Sequence, residues 1–141
     1  MARDVAWVAP GNLHLTLKFL GAVPEARILG LGAFPSANRP RVVWAGVTDG
    51  ASETVELARR VDTALAKLGF ARDERPFSPH VTLGRVRRPG RDPALTEALG
   101  SATAREFGRM RVPGATLMRS ELGPRGARYT ELAKVALGHP V

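Results

Sequence analysis

Cysteine is absent from this 141-residue chain, which excludes disulfide bonds, thiolate metal ligands and a cysteine nucleophile. No stretch approaches the roughly 18 consecutive apolar residues of a membrane-spanning helix, and no signal-peptide pattern opens the chain. We therefore expect a cytoplasmic protein with no membrane partner. The length and the 44% hydrophobic content predict one domain, residues 1–141, around one core.

Acidic residues are also scarce, with 13 against 21 basic residues, for a net charge of +8. All but three of the basic residues are arginine, whose guanidinium fork binds phosphate oxygens in bidentate fashion. This bias suits a polyanionic partner such as RNA, although arginine on a solvated surface explains many of these residues equally well. Arg85, Arg87, Arg88 and Arg91 directly follow the segment Pro79–Leu83, and we expect Arg85 to reach a bound phosphate.

Histidine occurs only three times, and two of the three share a repeated His-x-Thr-Leu frame within short apolar strands. Residues two apart in a strand project from the same face, so His14 lies beside Thr16 and His80 beside Thr82. A single histidine in a strand is usually a structural residue. Sheet packing does not require the same polar pair twice, so the repeat indicates two halves of one site. His139 has no threonine partner, and we interpret it as part of the tail.

Two imidazoles flanking a phosphate suit displacement at phosphorus. One takes a proton from the attacking oxygen and the other gives a proton to the leaving oxygen, because imidazole titrates near neutral pH with a pKa of about 6.5. Hydroxyls beside them can donate hydrogen bonds to the non-bridging oxygens. A metal-dependent phosphatase is a weaker hypothesis, since the motif strands supply no carboxylate ligand. We therefore expect neither a metal nor another cofactor.

The motifs and their flanking segments resemble the two-histidine (2H) phosphoesterases, and within them the LigT-like RNA 2′,3′-cyclic phosphodiesterases. The resemblance extends over nearly the whole chain and is carried by Trp7–Gly21, Gly32–Ser36, Arg41–Gly46, Phe77–Arg85, Ser120–Pro124 and Ala127–Thr130. Relative to that pattern the chain is expected to be shortened at its N-terminus and after the first motif, either as a shortened variant or because segments of the whole protein are absent from this sequence.

The resemblance implies a role for each motif residue. His14 corresponds to the proton donor to the leaving ribose oxygen, His80 to the proton acceptor from water, and Thr16 and Thr82 to phosphate-binding hydroxyls. The implied reaction opens the terminal 2′,3′-cyclic phosphate of RNA ends, or a nucleoside 2′,3′-cyclic phosphate, to a 2′-phosphomonoester. Some relatives also join RNA ends through 2′–5′ linkages. A non-catalytic RNA- or phosphate-binding domain is the alternative, and we expect a monomer in either case.

The expected fold is α+β, with two pseudo-symmetric lobes of mainly antiparallel sheet, outer helices and a central cleft between the two motif strands. Helical spacing of apolar residues predicts a helix over Ser52–Leu68, and Asp92–Pro93 predicts the start of a second helix, which reaches Leu99 or continues toward Phe107. Residues Gly123–Gly126 predict a hairpin turn. Strands are predicted at Val5–Val8, Asn12–Leu20, Ile28–Phe34, Val42–Thr48, Val81–Val86, Arg109–Val112, Thr116–Leu122 and Arg128–Leu137.

Aromatic residues make up only 6% of the chain, so few side chains can stack on a nucleobase. Phe19 and Phe77 flank the motifs, and Tyr129 follows Arg128 in a late strand. We consider these four as substrate contacts, although a phenylalanine near a strand end more often belongs to the core. The two tryptophans, at positions 7 and 44, are interpreted as core or lobe packing.

Overall fold

The computed structural model describes residues 5–8 and 23–137, which form seven strands and two helices. In chain order these are β1 (Val5–Trp7), β2 (Val23–Ser36), β3 (Arg39–Val47), α1 (Ala51–Lys67), β4 (His80–Val86), α2 (Pro93–Ser101), β5 (Glu106–Val112), β6 (Gly114–Gly123) and β7 (Gly126–Ala136).

The larger sheet contains five antiparallel strands in the order β1-β4-β3-β2-β5. Among the described strands, β6 and β7 pair only with each other, also antiparallel. Helices combined with antiparallel strands give the α+β class, so the predicted class is confirmed. The two sheets agree with the expectation of two lobes.

Strand β3 is the central strand of the larger sheet, and its side chains alternate between the two faces of that sheet. Val43, 1% exposed, packs in a cluster with Leu99 of α2, and Val47 packs in a cluster with Leu57 of α1. Positions 43 and 47 share a face because side chains alternate along a strand, so both helices cover the same face. The opposite face of β3, which carries Trp44, is therefore free of helices from the described part of the chain.

Helix α1 begins after Gly50, whose φ of 77° lies in the left-handed region that glycine adopts readily. The buried Thr54 hydroxyl donates a 2.6 Å hydrogen bond to the carbonyl of Gly50. The observed bounds differ from the predicted Ser52–Leu68 by one residue at each end. Leu68, the last residue of the predicted helix, lies outside the observed one, since the helix ends at Lys67 and Leu68 is 74% exposed.

Helix α2 begins where the sequence predicts. Asp92 is its N-cap and accepts a 3.0 Å hydrogen bond from the Leu95 backbone N–H, and Pro93 occupies the first turn. The helix ends at Ser101, so the predicted extension toward Phe107 is wrong, and Phe107 lies instead in β5. No helix among the described residues is long and apolar enough to cross a membrane.

Strands β2 and β3 form a tighter hairpin than the sequence indicates. A loop is predicted between Ile28–Phe34 and Val42–Thr48, whereas the two strands continue until only residues 37 and 38 separate them. The pairing of Ser36 with Arg39 closes the hairpin, and the Ser36 hydroxyl accepts a 3.3 Å hydrogen bond from the Arg39 backbone N–H.

Strand β2 also begins five residues earlier than predicted, at Val23. This extension pairs with β5, where Ala26 lies opposite Met110. An ion pair between Arg27 and Glu106, 2.6 Å long, joins the same two strands. The partners on β5 lie far from β2 in the sequence, so local sequence patterns give little sign of the extension. The predicted turn at Gly123–Gly126 is confirmed between β6 and β7.

Candidate active site

The second His-x-Thr motif lies on β4, on the sheet face opposite the helices. His80 pairs with Gly46 of β3, and Thr82 pairs with Trp44. Directly paired residues of antiparallel strands share a face, so His80 and Thr82 project on the side of the sheet that carries Trp44. Both motif residues are partly buried, which leaves part of each side chain accessible to a ligand.

One hydrogen bond determines how the His80 ring can act. Its Nδ1 lies 2.7 Å from the backbone carbonyl oxygen of Ser78. A carbonyl oxygen only accepts hydrogen bonds, so Nδ1 must carry the proton in this contact. In the neutral ring Nε2 is then the unprotonated nitrogen, and it can accept a proton from a bound molecule.

Two aromatic side chains adjoin the His80 ring. The ring of Phe34 on β2 meets it edge to face, with centroids 5.1 Å apart and planes at 81°. Trp44 contacts Phe34 at 5.3 Å and lies 6.5 Å from His80. Trp44 thus packs beside the motif. The sequence could show this only if the pairing of β3 with β4 were known.

A bulge in β4 determines where Arg85 projects. Val43 pairs with Gly84 and Trp44 pairs with Thr82, so Leu83 is an extra residue on β4. Beyond the bulge, Arg85 pairs with the β3 residue two positions before Trp44. Residues two apart on a strand project from the same face, so Arg85 projects from the face that carries Trp44. The Arg85 side chain is exposed, which gives this face a cation near the motif.

The other candidate residues lie on segments other than β4 or outside the described residues. Phe77 is partly buried in the segment that leads into β4. Arg128 and Tyr129 are exposed on β7, in the separate two-stranded sheet. The first-motif strand predicted at Asn12–Leu20, with its candidates His14, Thr16 and Phe19, lies outside the described residues, and so does His139.

A family model described as LigT like Phosphoesterase matches residues 46–129, which include the whole of β4. This chain belongs to the LigT-like phosphoesterase family.

Individual relatives extend the match over more of the LigT-like chain. A Methanothermobacter thermautotrophicus protein named RNA 2′,3′-cyclic phosphodiesterase is 39% identical over 92% of this chain and 80% of its own length. A protein of the same name from Archaeoglobus fulgidus is 38% identical over 89% of this chain and 80% of its length. A solved crystal structure from Thermus thermophilus superposes with a TM-score of 0.76 at 29% identity, covering 96% of this chain and 84% of that one.

Several arginines of this LigT-like chain are paired with carboxylates. Arg27 and Arg109 form ion pairs along β2 and β5, where the hydrogen bond from Arg27 holds the pKa of Glu106 below its usual range. Arg59 and Arg60 pair with Glu56 on α1. These four arginines are accounted for by intramolecular pairs, so they give no support to an RNA-binding surface.

Among the described residues, no carboxylates form a metal-ligand cluster with His80. Within residues 5–8 and 23–137, no group of three or more histidine, cysteine or acidic side chains is arranged to hold a metal ion. The described site therefore consists of His80 and Thr82 on β4, Arg85 beyond the bulge, and the two aromatic rings on β2 and β3.

Proposed function

We propose that this LigT-like chain hydrolyses terminal 2′,3′-cyclic phosphates of RNA, or of nucleosides, to 2′-phosphomonoesters without a metal. The names of the Methanothermobacter and Archaeoglobus relatives support this substrate class. The observation that carries the mechanism is the hydrogen bond between His80 Nδ1 and the Ser78 carbonyl, because it leaves Nε2 free to act as a general base.

In the proposed reaction His80 Nε2 takes a proton from water as the water oxygen attacks phosphorus. The bond between phosphorus and the 3′ oxygen breaks, and a protonated His14 gives its proton to that oxygen. The products are a 2′-phosphomonoester and a 3′-hydroxyl, and the two histidines exchange protonation states. The next cycle restores these states through solvent.

The hydroxyls and the arginine have a different task in this proposal. Thr16 and Thr82 donate hydrogen bonds to the non-bridging phosphate oxygens, on which negative charge increases in the transition state. Arg85 adds a charge-assisted hydrogen bond to the same phosphate. Phe19, Phe77, Arg128 and Tyr129 remain candidate contacts with the rest of the nucleotide.

The same groups would serve a ligation in which the 5′-hydroxyl of a second RNA replaces water. Attack by that hydroxyl with loss of the 3′ oxygen gives a 2′–5′ linkage. We propose this as a second reaction of one site. The single domain over residues 1–141, the monomeric state and the cytoplasmic location expected from the sequence stay predictions.

The deciding experiment is incubation of the purified chain with a nucleoside 2′,3′-cyclic phosphate in excess EDTA. We expect turnover, with ³¹P NMR identifying the 2′-monophosphate as the product. His80→Ala should abolish most of the turnover, whereas His139→Ala is the matched control that should retain it. Phosphate binding without turnover would instead favour the non-catalytic binding domain, and a 3′-monophosphate product would contradict the proposed direction of ring opening.

A further inference from the structure

An aromatic wall, formed by Phe34 on β2 and Trp44 on β3, stands next to the proposed general base. Phe34 contacts both other rings, with centroids 5.1 Å from His80 and 5.3 Å from Trp44. The rings of Phe34, Trp44 and His80, one from each of β2, β3 and β4, therefore form one aromatic cluster. Both wall residues precede the segment that the family model matches.

Gly32 allows Trp44 to lie flat across the sheet. A Cβ atom at position 32 would lie 2.3 Å from Cζ2 and 2.4 Å from Cη2 of Trp44, far inside van der Waals contact. The φ of Gly32 is not in the positive region, so the backbone here does not itself require glycine. The absence of a side chain at Gly32 therefore provides the space that the indole fills.

The position of the wall bears on which His80 nitrogen faces a substrate. The Ser78 carbonyl holds Nδ1 on one side of the His80 ring, and the Phe34 ring meets the imidazole at 81°. Edge-to-face packing depends on the tilt of the ring plane, so a rotation that tilts the imidazole would disturb both contacts. Trp44 adjoins both other rings, with centroids 5.3 Å from Phe34 and 6.5 Å from His80, so it limits how far either ring can shift.

We propose that Gly32, Trp44 and Phe34 are positioning residues that hold the His80 ring with Nδ1 on the Ser78 carbonyl and Nε2 available as the base. This inference rests on the proposed function, in which His80 accepts the proton of water. The wall acts through His80 and need not touch the substrate. Substitutions in the wall are therefore expected to lower kcat, because misplacement of a catalytic group by about 1 Å can cost roughly 100-fold in rate.

A nucleobase platform is the competing role for the same rings. A platform must offer an open ring face, whereas Phe34 and Trp44 pack against each other and against His80, and Trp44 Nε1 is buried without an acceptor among the described residues. A platform would act on substrate binding and raise KM when altered. Steady-state kinetics therefore distinguish the two roles, since loss of positioning lowers kcat and loss of a platform raises KM.

The test combines Gly32→Ala and Phe34→Leu with Gly90→Ala as the matched control. Gly32→Ala displaces the indole, and Phe34→Leu removes the edge-to-face contact without adding bulk at position 32. A Cβ atom at Gly90 meets no atom within 4 Å, so Gly90→Ala should behave as the parent chain. Thermal unfolding establishes that each variant is folded, and Phe34→Leu keeps the test decisive if Gly32→Ala does not fold.

Two readouts are needed. We expect kcat for a nucleoside 2′,3′-cyclic phosphate to fall about 10- to 100-fold in both wall variants, with KM within about twofold of the parent value. In ¹⁵N NMR of the histidine rings, the neutral His80 tautomer protonated at Nδ1 should dominate in the parent and lose population in both wall variants. Parent-like kcat and tautomer in the folded wall variants would overturn the inference, as would a rise in KM with kcat unchanged.

The NMR readout needs no turnover, so it separates this inference from the proposed function. If the parent chain hydrolyses no cyclic phosphate while the wall variants still change the His80 tautomer, the proposed function fails and the positioning role stands. If the parent is active and the tautomer is the same in all variants, the positioning role fails alone.

Discussion

At the scale of the residue, the account depends on how single side chains on β4 present their polar atoms. The repeated His-x-Thr frame predicts from the sequence alone that His80 and Thr82 share a face, because alternation along a strand is a local property. The protonated nitrogen of His80 could not be predicted, since it depends on a contact with the Ser78 carbonyl. The place of Trp44 could not be predicted either, because it depends on the pairing of β3 with β4.

Thr82→Val removes one hydroxyl and keeps the side-chain shape. If the hydroxyl donates to the phosphate, kcat/KM for a nucleoside 2′,3′-cyclic phosphate should fall roughly 10- to 150-fold, the cost of about 1.5–3 kcal/mol for a hydrogen bond to a charged group. Steady-state kinetics measure this. Thr82→Ser keeps the hydroxyl and should retain most of the activity, whereas equal activity of the valine variant would show that the hydroxyl does not bind the phosphate.

At the scale of the element, helix α1 shows which features are local and which are not. Its extent follows from apolar spacing, so the prediction differs from the observed bounds by one residue at each end. The exposure of Leu68 was not predictable in the same way, because it depends on whether the last turn continues past Lys67. The early start of β2 depends on pairing with β5, and such distant partners leave little local signal.

Leu57 is fully buried in the cluster beneath the sheet. Leu57→Ala should lower the free energy of unfolding by about 2–5 kcal/mol, because it removes buried apolar contact and leaves a cavity. Urea denaturation followed by circular dichroism measures the change. Val55→Ala on the same helix is the control, since Val55 is 41% exposed and should change the unfolding free energy by less than about 0.5 kcal/mol. Similar losses in the two variants would contradict the packing of α1.

The pKa of Glu56 on α1 should lie far below that of an ordinary glutamate carboxyl. Hydrogen bonds from Arg59 and Arg60 lower the pKa of Glu56 from 4.5 to about 2. A depressed folded-state pKa stabilises the fold above the unfolded value, and this contribution is lost as the pH falls from 4.5 toward 2. NMR titration of the Glu56 carboxyl measures it directly. A midpoint near 4.5 would show that the two arginines do not hold the carboxylate in solution, and Arg59→Gln should move the midpoint upward.

At the scale of the whole molecule, the dominant property is a net charge of +8 carried almost entirely by arginine. Composition alone predicts a polyanionic partner but does not show where it binds. The structure accounts for part of the charge through ion pairs on α1 and along the β2–β5 edge. Arg85 lies on the motif face next to the bulge in β4 and forms no ion pair with another described residue, so the proposed function makes that face the expected RNA-binding surface.

Salt should therefore weaken RNA binding more than binding of a mononucleotide. If an RNA end engages about four phosphates, its KM should rise roughly 50-fold between about 50 and 200 mM salt, against about threefold for a nucleoside 2′,3′-cyclic phosphate. Arg85→Gln should reduce the salt dependence, and Arg59→Gln, which lies on α1, should leave it unchanged. Equal salt dependence for the two substrates would mean that only the terminal phosphate is bound.

The central claim is that His14 and His80 act as one acid–base pair on the cyclic phosphate. The most direct test is the turnover of a nucleoside 2′,3′-cyclic phosphate in EDTA by His14→Ala, His80→Ala and the double variant. Each single variant should lose at least about 100-fold in kcat, and the double variant should be little worse than either, because groups that act as a unit are not additive. A folded single variant with nearly parental kcat would contradict the claim.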